Sequence, residues 1–284
     1  MSMSVQLQNG TAVITGAASG IGLELAKQAL ELNMNLVLAD IDSESLLRLK
    51  HDLHLTDAKS ILQQTDVSDE KDIALLCEKA FQKFGSVELL CNNAGVSLNR
   101  LSWMHSHQDW EWLMNVNLFS VAHAIRYFVP RMLDQNSPAH IVNTASVAGL
   151  LSTPGMAAYN ASKHSVVTLS ETLYQELHTL KAPIGVSVLC PAWVPTQIYL
   201  AQRNRPDRFG SHQDPSDPLS MKYDDRMSSA VQSGKMTATQ IAQEVFLAIQ
   251  KQQFYIIPHR RINSLIEQRM QEILHLQNPK VSES

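Results

Sequence analysis

The sequence predicts a single-domain α/β fold, a doubly wound seven-stranded and mostly parallel sheet with helices on both faces. Three observations predict it. Short β-prone runs alternate with longer segments of helical period, the first run opens into a glycine-rich turn and a helix, and size and composition suit one such domain. A chain of 284 residues, 44% of them hydrophobic, can fill one large core, and α/β domains of this length are routinely undivided.

The first β-prone run, Thr11-Ala12-Val13-Ile14, leads into Thr15-Gly16-Ala17-Ala18-Ser19-Gly20-Ile21-Gly22, after which Ile21, Leu25, Ala29 and Leu32 recur at helical spacing. That order is strand, turn, helix. Further strands are predicted over 35–39, 60–63, 87–91, 140–143, 184–189 and 254–257, with helices in the periodic segments between them. Right-handed crossovers put helices on both faces and gather the strand ends, with Gly16, Asp40, Gly95, Ser146 and Pro191, along one edge. Ligands bind at that edge in such sheets. Segment 197–235 is long, polar and without a clear period, and contains Pro206, Gly210, Pro215, Pro218 and Gly234. A disordered linker competes with a substrate lid there; the lid is preferred because the segment follows directly from 191–196 at the ligand edge. Beyond Pro258, Ile262, Leu265, Ile266, Met270, Ile273 and Leu274 mark an amphipathic helix within a C-terminal helix and tail, 260–284, expected to pack or to meet another subunit.

Composition excludes several classes. A net charge of −4 leaves no basic field for nucleic acid or an anionic membrane. Cys77, Cys91 and Cys190 stand in apolar runs, as buried free thiols do, which fits a reducing cytoplasmic setting. The stretch from Met1 to Leu7 has neither a basic region nor an apolar block, so no secretory signal is expected. Segment 135–162 lacks Asp, Glu, Lys and Arg, yet Asn143, Thr144, Ser146, Ser152, Thr153 and Pro154 interrupt it; it reads as a buried strand running into a site loop, not a membrane span. Of the eleven histidines, neither His105 with His107 nor His51 with His54 has carboxylates or cysteines at metal-ligand spacing, so no catalytic metal is expected.

The chemistry concentrates in Tyr159-Asn160-Ala161-Ser162-Lys163. Positions four apart share a helix face, so the Lys163 ammonium can lie beneath the Tyr159 phenol and stabilise its deprotonated form. A tyrosine ordinarily titrates near ~10, and a cationic neighbour is what makes it usable as a general acid and base. In the turn, Gly16, Gly20 and Gly22 allow the backbone to approach a pyrophosphate, whose charge sits at the N-terminus of the following helix. By itself this spacing could equally be a plain glycine turn. Asp40, at the end of the second strand, can accept hydrogen bonds from ribose hydroxyls and repel a 2′-phosphate. A solvated turn residue is the competing reading. Asp66 or Ser68 could alternatively cap the helix through Ile73 and Leu76.

These motifs occur in one order: Thr15 to Gly22, Asp66-Val67, Asn92-Asn93-Ala94-Gly95, Asn117, Ser146, Tyr159 with Lys163, and Pro191 with Thr196. In that order the chain resembles the classical short-chain dehydrogenase/reductase family, from about Leu7 to Pro258. Ala192 departs from the pattern, the family usually having glycine after the proline. The resemblance implies a Rossmann-type nucleotide-binding fold and an oxidoreductase interconverting an alcohol and a ketone or aldehyde. Ser146 would orient the carbonyl, Tyr159 exchange a proton with its oxygen, Lys163 lower the tyrosine pKa and hold the nicotinamide ribose, and Asn117 hold a helix irregularity and a water. Cofactor contacts fall on Gly16, Ser19, Gly20, Ile21, Gly22, Asp40, Ile41, Asp66, Val67, Asn93, Ala94, Gly95, Tyr159, Lys163, Pro191, Val194 and Thr196. NAD is expected over NADP, because Asp40 is acidic and no Lys or Arg stands directly after it or between Gly16 and Gly22.

Around these positions Leu150, Leu151, Met156, Trp193 and Tyr199 make a mostly apolar set, and Leu150, Met156, Trp193 and Tyr199 are expected to bind substrate with Ser146 and Tyr159. Trp103 is the other tryptophan expected near the substrate mouth. A neutral small-molecule alcohol or ketone is favoured. Arg203, Arg205 and Arg208 keep open an acidic or acyl-carrier-linked 3-oxo substrate, with NADP as the alternative cofactor, and a nucleotide-sensing regulator is the non-enzyme alternative. The resemblance also implies a homodimer or homotetramer paired through helices over 113–132 and 159–177, with excess apolar surface on both.

Overall fold

The computed structural model describes residues 5–211 and 217–280; Met1–Ser4, His212–Ser216 and Val281–Ser284, and with them Pro215 of the expected lid and the end of the tail, lie outside the described residues. Seven strands, β1 Thr11–Thr15, β2 Asn35–Asp40, β3 Ser60–Gln64, β4 Leu89–Asn92, β5 Ala139–Thr144, β6 Ile184–Leu189 and β7 Tyr255–Ile256, form one sheet in the order β3-β2-β1-β4-β5-β6-β7. Every pair is parallel. The strand order reverses between β1 and β4, the crevice where a doubly wound sheet holds ligands.

The central strands are nearly continuous apolar runs because both faces are covered. One core layer packs α1 Gly20–Glu31, α2 Ser43–Asp52 and α8 Ala238–Gln250 against the sheet, through Leu25, Leu46, Val245 and Ile249 among others. The opposite layer packs α3 Glu70–Phe84, α5 Ser120–Asp134 and α6 Ala157–Thr179, through Ile73, Phe128 and Leu173. The expected doubly wound sheet is thus present.

Several local expectations are corrected. β4 starts at Leu89, two residues later than predicted, because the Gln135 side-chain amide bonds both Val87 N–H (3.0 Å) and Val87 C=O (3.1 Å) in place of a strand partner. β7 is shorter than 254–257, pairing with β6 only at Tyr255 and Ile256. The cap of α3 is Asp69, which accepts from Lys71 N–H at 2.9 Å, not Asp66 or Ser68. Most of 197–235 is helical: 3-10 turns at Ile198–Asn204 and Asp207–Phe209, then α7 Pro218–Gln232. α7 carries a start signal that the apolar spacing hid, an Asp217 side chain capping Ser220 N–H at 2.8 Å with Pro218 in the first turn.

The run from Leu113 is not one helix. α4 His107–Met114 and α5 are joined by a π-helical segment, Asn115–Phe119, so the expected irregularity centres on Asn117. Little apolar surface is left on these helices and α6, where Phe119 and Tyr174 are the exposed large apolar side chains among the described residues. The amphipathic C-terminal helix is α9 Asn263–Leu274, none of whose residues is buried. Among the described residues no helix is long and apolar enough to cross a membrane.

Candidate active site

One cleft runs along the carboxyl ends of the strands, from Asp40 and Asp66 at one end, past Gly16, Ser19, Gly20 and Ile21, to Ser146, Tyr159 and Lys163. Its first half is shaped by backbone. Gly16 takes φ +64° and a side chain there would meet Ala94 Cα at 2.9 Å; Gly20 takes φ +54° beside Thr196. Gly22 does not line the cleft, a correction to the expected contact: a Cβ on it would lie 2.0 Å from Gly16 O, so it lets α1 pack onto the turn. Ser19 is the N-cap of α1 but makes no side-chain cap bond, which leaves first-turn N–H groups of a long helix facing the cleft. Asp40 is 9% exposed and accepts from Ala18 N–H (3.0 Å) and Asp42 N–H (3.1 Å), while burial raises its pKa above the ordinary carboxylate value. It is therefore not a solvated turn residue. An anion-receptive helix end next to a buried acceptor is a seat that fits a pyrophosphate and an adenosine ribose.

Asn93 and Thr15 tie β4 to the turn: Thr15 Oγ1 accepts from Asn93 N–H (3.0 Å) and Ala94 N–H (3.1 Å), and Asn93 Nδ2 donates to Thr15 O at 3.2 Å. Gly95 is needed for closeness, since a Cβ there would stand 3.2 Å from Lys163 Nζ. Asn117 spends its amide on this same loop, accepting from Val96 N–H at 2.8 Å and donating to Val96 O at 2.9 Å and Ser162 Oγ at 3.0 Å.

In the second half, Ser146 lies two residues past β5 and caps the following 3-10 turn, its hydroxyl donating to Pro191 O (3.3 Å) and accepting from Ala148 N–H (3.1 Å). Tyr159 and Lys163 enter from the first turns of α6, and both are buried. Lys163 Nζ donates to Thr144 O at 2.9 Å and lies 5.8 Å from the centre of the Tyr159 ring. Burial pushes the Tyr159 phenol up to about 12, opposed in part by a hydrogen bond with Ser146, and pushes Lys163 down to about 8. The expected lowering of the phenol by Lys163 is therefore absent in this state, because desolvation outweighs an ammonium that is turned to Thr144 O.

Pro191, Val194, Thr196, Met156 and Trp193 line the cleft as expected. Leu150 and Tyr199 do not. Leu150 turns into the small core of Val121, Val166 and Val167. Tyr199 lies in a 3-10 turn, where residues three apart share a face, so Ile198 and Ala201 reach the cleft and Tyr199 does not. Trp103 is 77% exposed and outside the cleft, whereas Trp112, Val116, Met227 and Val231 form apolar walls that local spacing did not reveal. His259, also unforeseen, accepts from Ala192 N–H at 3.1 Å, so the loop at the departure from the family pattern is held from the C-terminal segment. Among the described residues no three His, Cys, Asp or Glu converge as a metal-binding group.

Comparison with known proteins agrees with this geometry. A sequence model of the family described as short chain dehydrogenase matches residues 10–207. The CLA biosynthesis dehydrogenase/reductase of Lactiplantibacillus plantarum is 36% identical over 266 residues, covering 92% of this chain and 92% of that protein. The 1-deoxy-11-beta-hydroxypentalenate dehydrogenase of Streptomyces exfoliatus is 34% identical over 196 residues, 68% of this chain and 70% of that protein. A solved short chain dehydrogenase/reductase from Burkholderia phymatum, in complex with NAD, superposes with a TM-score of 0.94 at 44% identity, covering 98% of this chain and 99% of that one. With a family match over most of its length and a relative aligned nearly end to end, the chain belongs to the short-chain dehydrogenase/reductase family, as an oxidoreductase acting on small molecules.

Proposed function

We propose that the chain is an NAD-dependent oxidoreductase that interconverts a neutral, largely apolar alcohol with its ketone or aldehyde. One observation carries the proposal: Ser146, Tyr159 and Lys163 are buried at one end of a cleft that continues to the glycine turn and Asp40 at the other. Gly16, Ser19, Gly20 and Ile21 would hold the pyrophosphate, Asp40 the adenosine ribose, and Asn93 to Gly95, Pro191, Val194 and Thr196 the nicotinamide half. The nicotinamide, when bound, supplies or takes up hydride at the substrate carbon. Ser146 donates to the substrate oxygen and orients it, and Tyr159 gives that oxygen a proton in reduction or removes one in oxidation. Lys163 opposes the burial of the phenolate when its ammonium turns from Thr144 O toward the ring and the ribose. Asn117 fixes the Val96 loop beneath Gly95 and stands beside the route by which the proton reaches solvent.

Two features favour a neutral substrate. Trp112, Val116, Met156, Met227 and Val231 line the cleft with Ser146 and Tyr159; Arg205 and Arg208 are engaged by Asp109 and Asp66, and Arg203, which does line the cleft, spends its guanidinium on Gln197 O and Leu200 O. The Burkholderia phymatum relative's bound NAD and the acceptor at Asp40 support the cofactor choice. The segment 197–235 serves as lid: Asn99 Nδ2 donates to Asp224 Oδ1 (2.9 Å) and Leu101 N–H to Ser220 Oγ (3.0 Å), which seat α7 over the apolar walls. Pairing of α5 and α6 in a homodimer or homotetramer rests on the family resemblance alone, since little apolar surface is exposed on them, and a monomeric mass by light scattering at micromolar concentration would reject it. The central test is absorbance at 340 nm with NAD and NADP against a panel of alcohols and ketones. Turnover of neutral apolar members with NAD is expected; turnover of acidic or acyl-carrier substrates alone would give the substrate assignment to that class, and cofactor binding without any turnover would favour a nucleotide-sensing role.

A further inference from the structure

The lid arm does not stop at the substrate half of the cleft. Arg203, Asn204 and Pro206 line the same cleft as the glycine turn and Asp40, and on their outer side they line an adjoining recess with Ile41, Asp42 and Asp66. Two arginines fasten this arm at unequal depth. Arg205 donates to Asp109 Oδ1 at 2.6 Å, with both side chains 4% exposed, and its guanidinium also lies 5.1 Å from the centre of the Trp112 ring. Arg205 also donates from Nε to Phe209 O at 3.1 Å, and Asp109 lies 3.8 Å from Arg100 Nε, so this end of the arm is held by a buried network and acts as a fixed anchor. Arg208 reaches across to the loop after β3, donating from Nη2 to Asp66 Oδ2 (2.7 Å) and to Ser68 Oγ (2.6 Å), with its side chain 48% exposed. An exposed pair of this kind is weak and opens readily. The arm is thus anchored in the core at one point and lightly latched at the other, and it passes over the position assigned to adenosine.

We propose that residues 203–208 form a clasp over the adenosine half of the dinucleotide, with Arg208 as its latch on Asp66 and Ser68, so that cofactor release waits on latch opening. The clasp rests on the dinucleotide assignment made above. Arg208 is a positioning residue here: it touches the loop, and the arm behind it covers the cofactor. The arm's own cleft-facing charge is Arg203, which donates to Gln197 O and Leu200 O, each at 3.0 Å, in this state.

Two measurements on the full-length protein test the clasp. Hydrogen–deuterium exchange of the peptide spanning 203–210 is expected to slow with ADP-ribose and to stay unchanged with nicotinamide mononucleotide. Stopped-flow release of NADH is expected to be about three- to fivefold faster in Arg208→Gln than in the wild type, the range open to a partly exposed ion pair, and intermediate in Arg208→Lys. Salt should speed release more in the wild type than in Arg208→Gln, since the variant keeps only the screening of the dinucleotide's own charges, which both proteins share. Release in Arg208→Gln equal to wild type, or protection that needs the nicotinamide half, overturns the clasp. A wild-type chain that binds neither NADH nor NADPH in a direct titration overturns the cofactor assignment itself, and the clasp with it, before any variant is compared.

Discussion

Tyr159 and Lys163 share a buried wall, and burial moves them in opposite directions, the phenol up to about 12 and the ammonium down to about 8. Tyr159→Phe keeps the ring and deletes the exchangeable proton; turnover is expected to fall at least about a hundredfold while NAD binding, followed by titration calorimetry, persists. Turnover near the wild-type rate would exclude Tyr159 as the acid and base. Lys163 also shapes the stability curve. With a folded pKa of about 8 against 10.5 for the free side chain, it loses its proton first in the folded chain, so its contribution to stability rises between those two pH values. Tyr159 acts in reverse from 10 to about 12, the folded chain keeping the proton that the unfolded one gives up. On the proposed cofactor assignment, Asp40→Ala would remove the ribose acceptor and the repulsion of a 2′-phosphate, and the NAD-to-NADP affinity ratio is expected to drop roughly tenfold, less at high salt. An unchanged ratio in calorimetry at two ionic strengths would confine Asp40 to bonding Ala18 and Asp42. At this scale the sequence was most legible for Ser146 and Lys163, whose spacing from Tyr159 places all three, buried, in one cleft. It was least legible at Leu150 and Tyr199, whose directions depend on the exact turn of a short 3-10 segment.

Among the elements, the strand-turn-helix unit from β1 to α1 was readable because its glycines, its apolar spacing and its buried strand all agree. Gly22 shows what the spacing was for. Gly22→Ala would put a methyl where Gly16 O stands 2.0 Å away, so the turn must shift; a loss of about 1–3 kcal/mol is expected, with weaker dinucleotide binding. Thermal melting with and without NAD checks both, and an unaltered melting temperature would mean that the turn yields freely. α7 escaped detection for a physical reason: its buried residues are Ser220, Met227 and Val231, and one of the three is a serine used as an acceptor for Leu101 N–H. A helix held in part by hydrogen bonds, from Asn99 to Asp224 and from Leu101 to Ser220, shows no broad apolar stripe.

For the whole molecule, His140 couples the sheet to pH. It lies in β5 between Leu89 of β4 and Gly185 of β6, its ring 2.8 Å from Ser187 Oγ, with Gly185 leaving room for the imidazole. Burial holds its pKa down to about 4 against 6.5 for the free side chain. The unfolded chain therefore takes up a proton that the folded chain refuses, and stability that is complete above pH 6.5 declines as pH falls toward 4, by up to roughly 3 kcal/mol. Urea midpoints at pH 7 and 4.5 should differ less for His140→Gln than for the wild type; equal differences would assign the acid loss to other groups. Alternating strands and helices, the glycine turn and the order of the polar motifs were all determined by the sequence itself, because hydrophobic period and backbone freedom are local properties. Only tertiary structure decided that Trp112 and Met227 line one cleft with Ser146 and Tyr159, that His259 returns to hold Ala192, and that Arg208 reaches Asp66. Those contacts join residues far apart in the chain, and their partners are chosen by how layers pack, which no local period encodes.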